Sequence, residues 1–318
     1  MSRVAVMDLA RRGSTRPTAT RDLLMSHVAV IAHSGKTLDG GLLELRKTLE
    51  EGGVSNPQWR EVTKSRFAPQ QVEQALEAGA ELIFAWGGDG MVQRCVDAIA
   101  NSGATIAIIP AGTANLLARN LGIPRKISEA VAIGLNGERR QLDMGRMNGE
   151  RFAVMAGLGF DARVIRTADG KMKRVLGRGA YVWAATTNMR IKPFVAKIDI
   201  DGNRWYDGEA SCILFGNVGK AFAGLKVFDD AQADDGLLEV GVASADGILQ
   251  WSRIFARSKF SHTSKSPFVH MTKGRSIDVK LRGKVRYELD GGERTREKRF
   301  RIEVEPAAVS ICVPANGN

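Results

Sequence analysis

The sequence predicts an α/β protein with a parallel sheet in its first half and a β-rich second half. Between residues 28 and 121, short strand-like runs alternate with helical stretches of about ten residues, as in βαβ units. After about residue 143, strand-like runs follow one another, mostly without helices. At ~150 residues per domain, the 318 residues suffice for about two domains, and a hydrophobic content of 44% allows each a buried core.

The elements of the first half follow from its hydrophobic pattern. Short apolar runs predict strands, and apolar residues at helical spacing predict the helices that follow them. The predicted strands are 28–32, 59–62, 81–86 and 105–109. The predicted helices are 42–51, 69–78, 92–100 and 115–121. In an open parallel sheet, ligands bind beyond the carboxyl ends of the strands, so the loops that follow these strands are candidate binding loops.

The second half is predicted as a separate β-rich domain. We divide the chain into a poorly ordered tail (1–24), an α/β domain (25–143), a β-rich domain (144–306) and a terminal segment (307–318). The predicted strands of the β-rich domain are 152–155, 195–200, 210–215, 237–242, 276–281, 285–289 and 300–304.

Charge and cysteine content restrict the classes of function. Lys and Arg number 46 against 35 Asp and Glu, a net charge of +11 that predicts an anionic partner such as a nucleotide, a nucleic acid or an acidic membrane. Cys95, Cys212 and Cys312 fit neither a disulfide framework nor a zinc site, so we expect reduced core thiols in a cytosolic protein. No apolar run approaches the ~18–20 residues of a membrane span, and no signal-peptide pattern is present.

Three loops fall at the predicted ligand-binding edge of the sheet: 33–36, 87–90 and 110–113. In the sequence GGDG of residues 87–90, glycines let backbone N–H groups approach anionic oxygens, and the next helix adds its positive end. Asp89 would repel a phosphate unless a cation lay between them, which predicts Mg²⁺. The alternative is a tight turn in which Asp89 caps the helix. The second glycine turn, at 110–113, favours the phosphate-binding interpretation.

Seven motifs occur along the chain in a fixed order. They are residues 86–90 (WGGDG), 109–115 (IPAGTAN), 118–124 (ARNLGIP), 142–145 (LDMG), 156–162 (AGLGFDA), 233–238 (ADDGLL) and 289–293 (LDGGE). Together they resemble the diacylglycerol kinase catalytic domain family, and more narrowly its soluble bacterial lipid kinases. The GGDG turn alone is shared with NAD kinases, but the ordered set is specific to lipid kinases.

The resemblance implies a Rossmann-like three-layer domain with a parallel sheet, a β-sandwich-like C-terminal domain that carries the lipid site, and ATP in the cleft. The last strand, about 307–313, would return to the first domain. The implied activity is an ATP- and Mg²⁺-dependent transfer of the γ-phosphoryl group to a lipid hydroxyl, most simply diacylglycerol to phosphatidic acid. The alternatives are a sphingoid- or glycolipid-type kinase, and a catalytically silent protein that binds a nucleotide or nucleic acid.

The resemblance also implies roles for residues around the nucleotide. Asp89 and Asp143 would organise the catalytic magnesium and its waters. Met91 stands where the family usually has Thr, and residues 116–117 (LL) stand where bacterial diacylglycerol kinases usually have Asp-Phe. Met91 removes a hydroxyl from the phosphate loop, and the missing acid at 116–117, which sphingoid and ceramide kinases also tend to lack, bears on the substrate class. Together the two departures make the silent-protein alternative conceivable. The residues that would line the nucleotide are His33, Ser34, Gly35, Thr63, Gly87, Gly88, Asp89, Gly90, Met91, Val92, Gln93 and Thr113.

Two further groups of residues take roles from the same resemblance. Asp290 and Glu293 would form the region of the general base. The usual Asp-Gly-Glu is stretched here to Asp-Gly-Gly-Glu, which leaves open which acid is the base, with Asp290 favoured because it lies nearer the strand. Asp235, the carbonyl of Leu237, and Gln232 would match a second, structural magnesium site.

Two basic stretches predict how the protein reaches its lipid. Residues 163–192 contain eight Lys or Arg and one acid, and residues 253–286 contain ten and one. At about 1 kcal/mol per basic residue near an anionic bilayer, they favour peripheral docking on the inner membrane leaflet. The alternative to membrane docking is that both stretches are simply solvent-exposed surface. No motif that reads DNA or RNA accompanies the charge, so no nucleic-acid partner is expected. A homodimer stays an option, because the sequence does not decide the oligomeric state.

Overall fold

The computed structural model describes residues 27–159, 193–220, 226–245, 250 and 266–315. Within these ranges, fourteen strands belong to one mixed sheet, and the five α-helices all lie in the first half of the chain. The predicted tail (1–24) and the first basic stretch (163–192) lie outside the described residues. No helix among the described residues is long and apolar enough to cross a membrane.

The first half is a parallel sheet flanked by helices. Its elements are β1 (Val28–His33), α1 (Gly41–Glu51), β2 (Gln58–Val62), α2 (Ala68–Glu77), β3 (Leu82–Gly87), α3 (Asp89–Ile99), β4 (Thr105–Pro110), α4 (Leu116–Asn120) and α5 (Ile127–Asn136). The strands lie in the order β2-β1-β3-β4, all parallel. The helices contact one another in two groups, α1 with α5 and α2 with α3. The predicted α/β fold of the first half is confirmed, and the elements that were predicted lie at their expected places with small shifts at their ends.

Burial explains why β1, β3 and β4 are almost uniformly apolar. Their residues are buried except the half-buried His33, as expected for parallel strands covered on both faces. Helix α5 was not predicted, although it closes one side of this core. Its Gly134 allows the close approach, because a Cβ there would lie 2.3 Å from Cε1 of Phe84.

The second half is antiparallel and has its own core. Its strands are β5 (Glu138–Met147), β6 (Glu150–Phe152), β7 (Met155–Leu158), β8 (Phe194–Ile200), β9 (Asn203–Ala210), β10 (Cys212–Gly216), β11 (Leu238–Ala243), β12 (Val269–Gly274), β13 (Ser276–Leu289) and β14 (Gly292–Val313). The order β12-β11-β10-β7-β13-β14 is antiparallel throughout. In β13, Ile277 and Val279 are buried while Asp278 and Lys280 are exposed, the alternation of a strand with one face on a core.

Two long strands replace pairs of shorter predicted strands. The predicted runs 276–281 and 285–289 are both part of β13, whose register with β14 shifts between Lys280 and Val285. The predicted runs 300–304 and 307–313 are both part of β14, which has 22 residues. The end of β14 runs parallel to β4, so this single strand joins the two halves. Strand β5 pairs with β14 on both sides of a register shift, and the expected domain boundary at residue 143 lies inside β5.

The three cysteines lie in the cores, as predicted. Cys95, Cys212 and Cys312 are buried and unpaired. Burial raises the pKa of Cys95 to about 12 and also raises the pKa of the other two thiols. Each therefore stays protonated at neutral pH, and a low thiolate content makes a thiol unreactive.

Candidate active site

The loops that follow β1, β2 and β3 meet at one edge of the parallel sheet. The backbone N–H of Ser34 donates to the carbonyl of Val62 at 3.0 Å, which joins the ends of β1 and β2. The indole N–H of the buried Trp86 donates to the carbonyl of Lys36 at 3.2 Å, which holds the loop after β1 to β3. The predicted nucleotide-lining residues that follow these strands are therefore neighbours on this edge.

The two glycine turns lie in backbone contact at the same edge. A Cβ on Gly112 would lie 2.4 Å from the Cα of Gly88, so neither loop could hold its place with a side chain at Gly112. Gly90 faces open space, with no atom within 4 Å of a Cβ built on it. The side chain of Met91 is buried and packs against Gly87 instead of facing this space. The tip of the GGDG turn is thus bare backbone at the start of α3, the arrangement that suits a phosphate group.

Asp89 joins the two turns. One carboxylate oxygen accepts the backbone N–H of Asn115 at 3.0 Å, and the other accepts that of Leu116 at 2.5 Å. Asp89 is the first residue of α3, but its carboxylate caps the start of α4, the helix that follows the turn at 110–113. Asn115 completes the junction, since its side-chain oxygen accepts the N–H of Gly112 at 2.9 Å and its backbone has a φ of 49°. The sequence motif contains Asn115, but no role was predicted for it.

Asp290 comes from the second half of the chain. It lies in the two-residue turn between β13 and β14, and both Asp290 and Gly291 have the positive φ that such a turn needs. Its carboxylate accepts three backbone N–H groups, those of Ala153 and Val154 at 2.8 Å and of Met155 at 2.9 Å. The backbone here is thus a hairpin turn, and the carboxylate of Asp290 is held by protein groups and is not simply solvated.

Burial raises the pKa of Asp290 to about 6, although the three backbone N–H groups act in the opposite direction. The negative charge of Asp89 adds to the rise. Asp89 and Asp290 line one narrow cleft between the two halves, whose other walls include the apolar side chains of Val92, Ile108 and Leu117. A cleft with one carboxylate beside a bare backbone turn, and a second carboxyl whose pKa is raised to about 6, can bind a charged ligand and accept a proton.

Two family models match the chain in tandem. The diacylglycerol kinase catalytic domain matches residues 27–147, and the YegS C-terminal NAD kinase beta sandwich-like domain matches residues 154–313. The chain is 31% identical over 254 residues to a Pseudomonas aeruginosa protein named probable lipid kinase YegS-like, an alignment that covers 77% of this chain and 80% of that protein. The chain belongs to the YegS-like lipid kinase family.

Other relatives agree with this assignment. A protein of the same name from Pectobacterium atrosepticum is 30% identical over 282 residues, which cover 87% of this chain and 88% of that protein. The fold is shared with the crystal structure of a diacylglycerol kinase from Bacillus anthracis, with a TM-score of 0.71 and 21% identity over 90% of this chain and 96% of that one. The predicted enzyme class is confirmed: the protein is a kinase, a phosphotransferase with an alcohol group as acceptor.

The structure of this YegS-like chain does not bring Asp143 or Glu293 into the cleft. Asp143 is 3% exposed, and its two carboxylate oxygens accept the backbone N–H groups of Gly236 at 2.7 Å and Ala307 at 2.8 Å. Glu293 lies on β14, is partly exposed, and forms an ion pair with Arg286 on β13. Asp143 thus holds the irregular part of β14 in place. Glu293 belongs to the hairpin formed by β13 and β14, on its outer side away from the cleft, which we call the outer hairpin.

Asn217 supports the turn that holds Asp290, and sequence reasoning missed it. Its side-chain N–H₂ donates to the carbonyls of Asp143 at 2.7 Å and Ala153 at 3.1 Å. Its backbone N–H donates to the carbonyl of Val154 at 3.0 Å. Asn217 therefore positions two of the three amides that bind Asp290. The signal that could have found it is an amide residue two positions after the predicted strand 210–215.

The residues of the predicted second magnesium site are only partly together. Asp235 accepts the backbone N–H of Leu237 at 3.0 Å, and Gln232 is exposed. The ammonium of Lys273 lies 3.4 Å from Asp235 and 2.9 Å from Glu239. Burial lowers the pKa of Lys273, but these carboxylates outweigh it and leave the pKa above its usual value. In the described part of the chain, no three His, Cys, Asp or Glu side chains are grouped to hold a metal.

Proposed function

We propose that this kinase transfers the γ-phosphoryl group of ATP to the hydroxyl of diacylglycerol, forming phosphatidic acid, with Mg²⁺ as its cofactor. The observation that carries the proposal is the presence of Asp89 and Asp290 in one cleft. Asp89 begins the helix beside the bare glycine turn. Asp290 is a carboxylate with a near-neutral pKa, held in place by three backbone N–H groups. Binding a phosphate and accepting a hydroxyl proton are the two tasks that phosphoryl transfer requires.

The glycine turns would hold the phosphates of ATP. The backbone of Gly90, which has open space beside it, together with the positive end of α3, can approach phosphate oxygens without steric conflict. The loops after β1 and β2 lie at the same edge, with Ser34, Gly35 and Thr63 exposed to take the rest of the nucleotide. These loops support the predicted nucleotide site, and the family assignment supports ATP as its ligand.

The donor set around Asp89 fits a magnesium ion that is shared with the nucleotide. Mg²⁺ in kinases is bound by one or two carboxylates and by substrate phosphates, so a dedicated cluster of protein ligands is not required. A carboxylate has about four lone-pair directions, and the N–H groups of Asn115 and Leu116 use two of those of Asp89. When bound, the ion neutralises charge on the transferring phosphoryl group. Asp89 is the residue that we assign to hold it.

Asp290 would act as the general base. Its oxygen Oδ1 accepts two backbone N–H groups and Oδ2 accepts one, so Oδ2 has more capacity left for the lipid hydroxyl. As the hydroxyl oxygen forms its bond to the γ-phosphorus, its proton passes to Asp290, and the bond from that phosphorus to the oxygen of ADP breaks. The fixed carboxylate needs no reorientation during the step, which favours the transfer.

The lipid acceptor implies contact with a membrane surface, and we propose peripheral docking on anionic lipid. Three basic residues of the second basic stretch, Lys280, Arg282 and Lys284, are exposed on β13, which supports a positive face on the second half. Residues 163–192 and 253–265, which complete the two stretches, lie outside the described residues.

One assay tests the proposed reaction. The protein is incubated with ATP labelled on the γ-phosphate, MgCl₂ and mixed micelles that contain diacylglycerol, sphingosine or a total lipid extract, and the labelled lipid is identified. Labelled phosphatidic acid, lost on addition of EDTA, supports the proposal. Label in a sphingoid or glycolipid product instead would replace diacylglycerol as the substrate. The absence of any labelled lipid across a range of magnesium concentrations would contradict the kinase activity itself.

A further inference from the structure

The loop before β11 is strongly acidic and lies where the family resemblance predicts a structural magnesium ion. Its carboxylates are Asp229, Asp230, Asp234 and Asp235, and Glu239 follows them on β11. Arg140 on β5 pairs with Asp234 at 2.7 Å, at the outer side of the loop. Burial raises the pKa of Glu239, and the negative charges of Asp235 and Asp230 add to the rise, so a second cation would relieve the repulsion among these carboxylates.

Lys273 supplies that cation. It lies on β12, directly opposite Glu239 of β11 in the antiparallel register. Its ammonium is 2.9 Å from a carboxylate oxygen of Glu239 and 3.4 Å from one of Asp235, and it donates to the carbonyl of Asp230 at 3.1 Å. An ammonium has three N–H donors, and these three oxygens match them in number.

A divalent ion at Asp235 would accordingly meet the ammonium of Lys273, which lies 3.4 Å from that carboxylate. Of the two oxygens of Asp235, one accepts the N–H of Leu237 and the other faces Lys273. Gln232, the third predicted ligand, is exposed. Two carboxylate oxygens here, Oδ1 of Asp229 and Oε1 of Glu239, are buried without a hydrogen-bond partner in the described part of the chain. The oxygen of Glu239 is the one that lies 2.9 Å from the ammonium of Lys273, so only that of Asp229 is left, and one oxygen is not a coordination set for Mg²⁺ or Ca²⁺.

We infer that the ammonium of Lys273 takes the place of the structural metal ion in this chain, so that the acidic loop is held by a covalently attached cation. A second cation beside this ammonium would be repelled by it. This inference does not depend on the proposed lipid substrate, since it concerns only how the loop is held.

The loop matters because it supports the junction between the two halves. The backbone N–H of Asp143 donates to the carbonyl of Ala233 at 2.7 Å, and Asp143 accepts the N–H of Gly236 at 2.7 Å. The same carboxylate binds Ala307 of β14. Lys273 therefore stabilises, through the loop and Asp143, the position at which β14 passes from one half to the other.

Thermal unfolding of the full chain without nucleotide tests the inference. The Tm is measured in EDTA, in MgCl₂ and in CaCl₂ for the wild type, Asp235→Asn, Lys273→Met and Lys273→Arg. Lys280→Met serves as the matched control, because Lys280 is an exposed strand lysine away from the loop. We expect the wild type and Asp235→Asn to respond equally to the divalent ions. We expect Lys273→Met to unfold at a lower temperature than Lys280→Met and to be stabilised by CaCl₂ more than the wild type is.

Two results would overturn the inference. The first is a saturable rise in the Tm of the wild type with MgCl₂ or CaCl₂ that Asp235→Asn abolishes, because that would show a metal ion bound at Asp235. The second is an equal Tm for Lys273→Met and Lys280→Met, because the ammonium would then contribute nothing to the loop. If Lys273→Met does not fold, the comparison of the wild type with Asp235→Asn still shows whether a divalent ion binds at Asp235. Lys273→Arg, which keeps the positive charge, should fold without a divalent ion.

Discussion

Asp89 and Asp290 belong to different halves of the chain, yet they line one cleft, and the charge of Asp89 helps to raise the pKa of Asp290. Burial is the larger cause of that rise. Asp89 is tied to the glycine turns and Asp290 to the backbone of β7 and the turn before it. Two carboxylates with such different surroundings can serve different purposes in one reaction, one for the phosphate and its cation and the other for the proton.

Replacing Asp89 by Asn should abolish turnover while the protein stays folded. The amide keeps one oxygen to accept an N–H from the start of α4, but it loses the negative charge that we assign to magnesium binding. The measurement is the rate of lipid phosphorylation together with the circular dichroism of the variant. Asp97→Asn, on the outer part of the same helix, is the control and should keep its activity. Retention of more than half of the wild-type rate by Asp89→Asn would contradict the assignment.

Asp290→Asn should lower kcat by ~10²-fold or more, because an amide cannot accept the hydroxyl proton. The KM for ATP should change little, since Asp290 comes from the second half. Glu293→Gln should stay near the wild-type rate, because Glu293 is ion-paired with Arg286 on the outer hairpin. Asp278→Asn, at an exposed position on β13, the strand that leads into the turn of Asp290, is the matched control. Near-normal kcat values in both Asp290→Asn and Glu293→Gln would place the base elsewhere.

The rate should depend on pH through Asp290. A general base must be deprotonated, so kcat/KM should fall as the pH falls through about 6, the pKa to which burial raises this carboxyl from its usual 3.8. Stability changes in the opposite direction. The folded protein holds the proton of Asp290 more tightly than the unfolded chain does. The contribution of this carboxyl group to the free energy of unfolding is therefore fully present below pH 3.8 and is lost as the pH rises through about 6. Asp290→Asn should remove this component from a series of Tm measurements between these pH values, and an unchanged series would contradict the raised pKa.

Asn217→Leu should impair the action of Asp290 as the general base indirectly, through the backbone amides that hold its carboxylate. The change removes two hydrogen bonds and leaves the carbonyls of Asp143 and Ala153 without this partner, at a cost of about 1–3 kcal/mol in the free energy of unfolding. Because the amides that hold Asp290 would lose their support, the acid limb of the pH profile should also move. Urea unfolding and the pH dependence of kcat/KM measure the two effects. A loss of stability with an unmoved pH profile would mean that Asn217 has only a structural role.

Reversal of basic charge should weaken membrane binding. We expect two variants to bind vesicles of anionic lipid less well than the wild type, and most clearly at low salt, where charges are least screened. The first variant combines Arg282→Glu and Lys284→Glu, two positions that are exposed on β13. The second variant combines Lys171→Glu, Lys173→Glu and Arg174→Glu, three positions that lie outside the described residues. Co-sedimentation measures the binding, and equal binding of the wild type to neutral and anionic vesicles would contradict the docking proposal.

Local pattern predicted the first half better than the second. Strands β1, β3 and β4 are nearly all apolar because both faces are covered, and such runs stand out in a sequence. Strand β9 was missed because most of its residues are exposed or only partly buried, so it lacks an apolar pattern. The continuity of β13 and of β14 was missed for another reason. Whether two short runs form one strand depends on pairing with distant strands, and local composition does not report that pairing.

The sequence by itself determined the α/β order, the two glycine turns and the presence of Asp89 beside them, because these depend on residues close together in the chain. Only the tertiary structure decided which acids meet. Asp290 enters the cleft while Glu293 and Asp143 do not, and Lys273 reaches the acidic loop from another strand. The pKa of a carboxyl group and the partner of a buried charge depend on burial and on neighbours that come from distant parts of the chain, and folding alone brings those neighbours together.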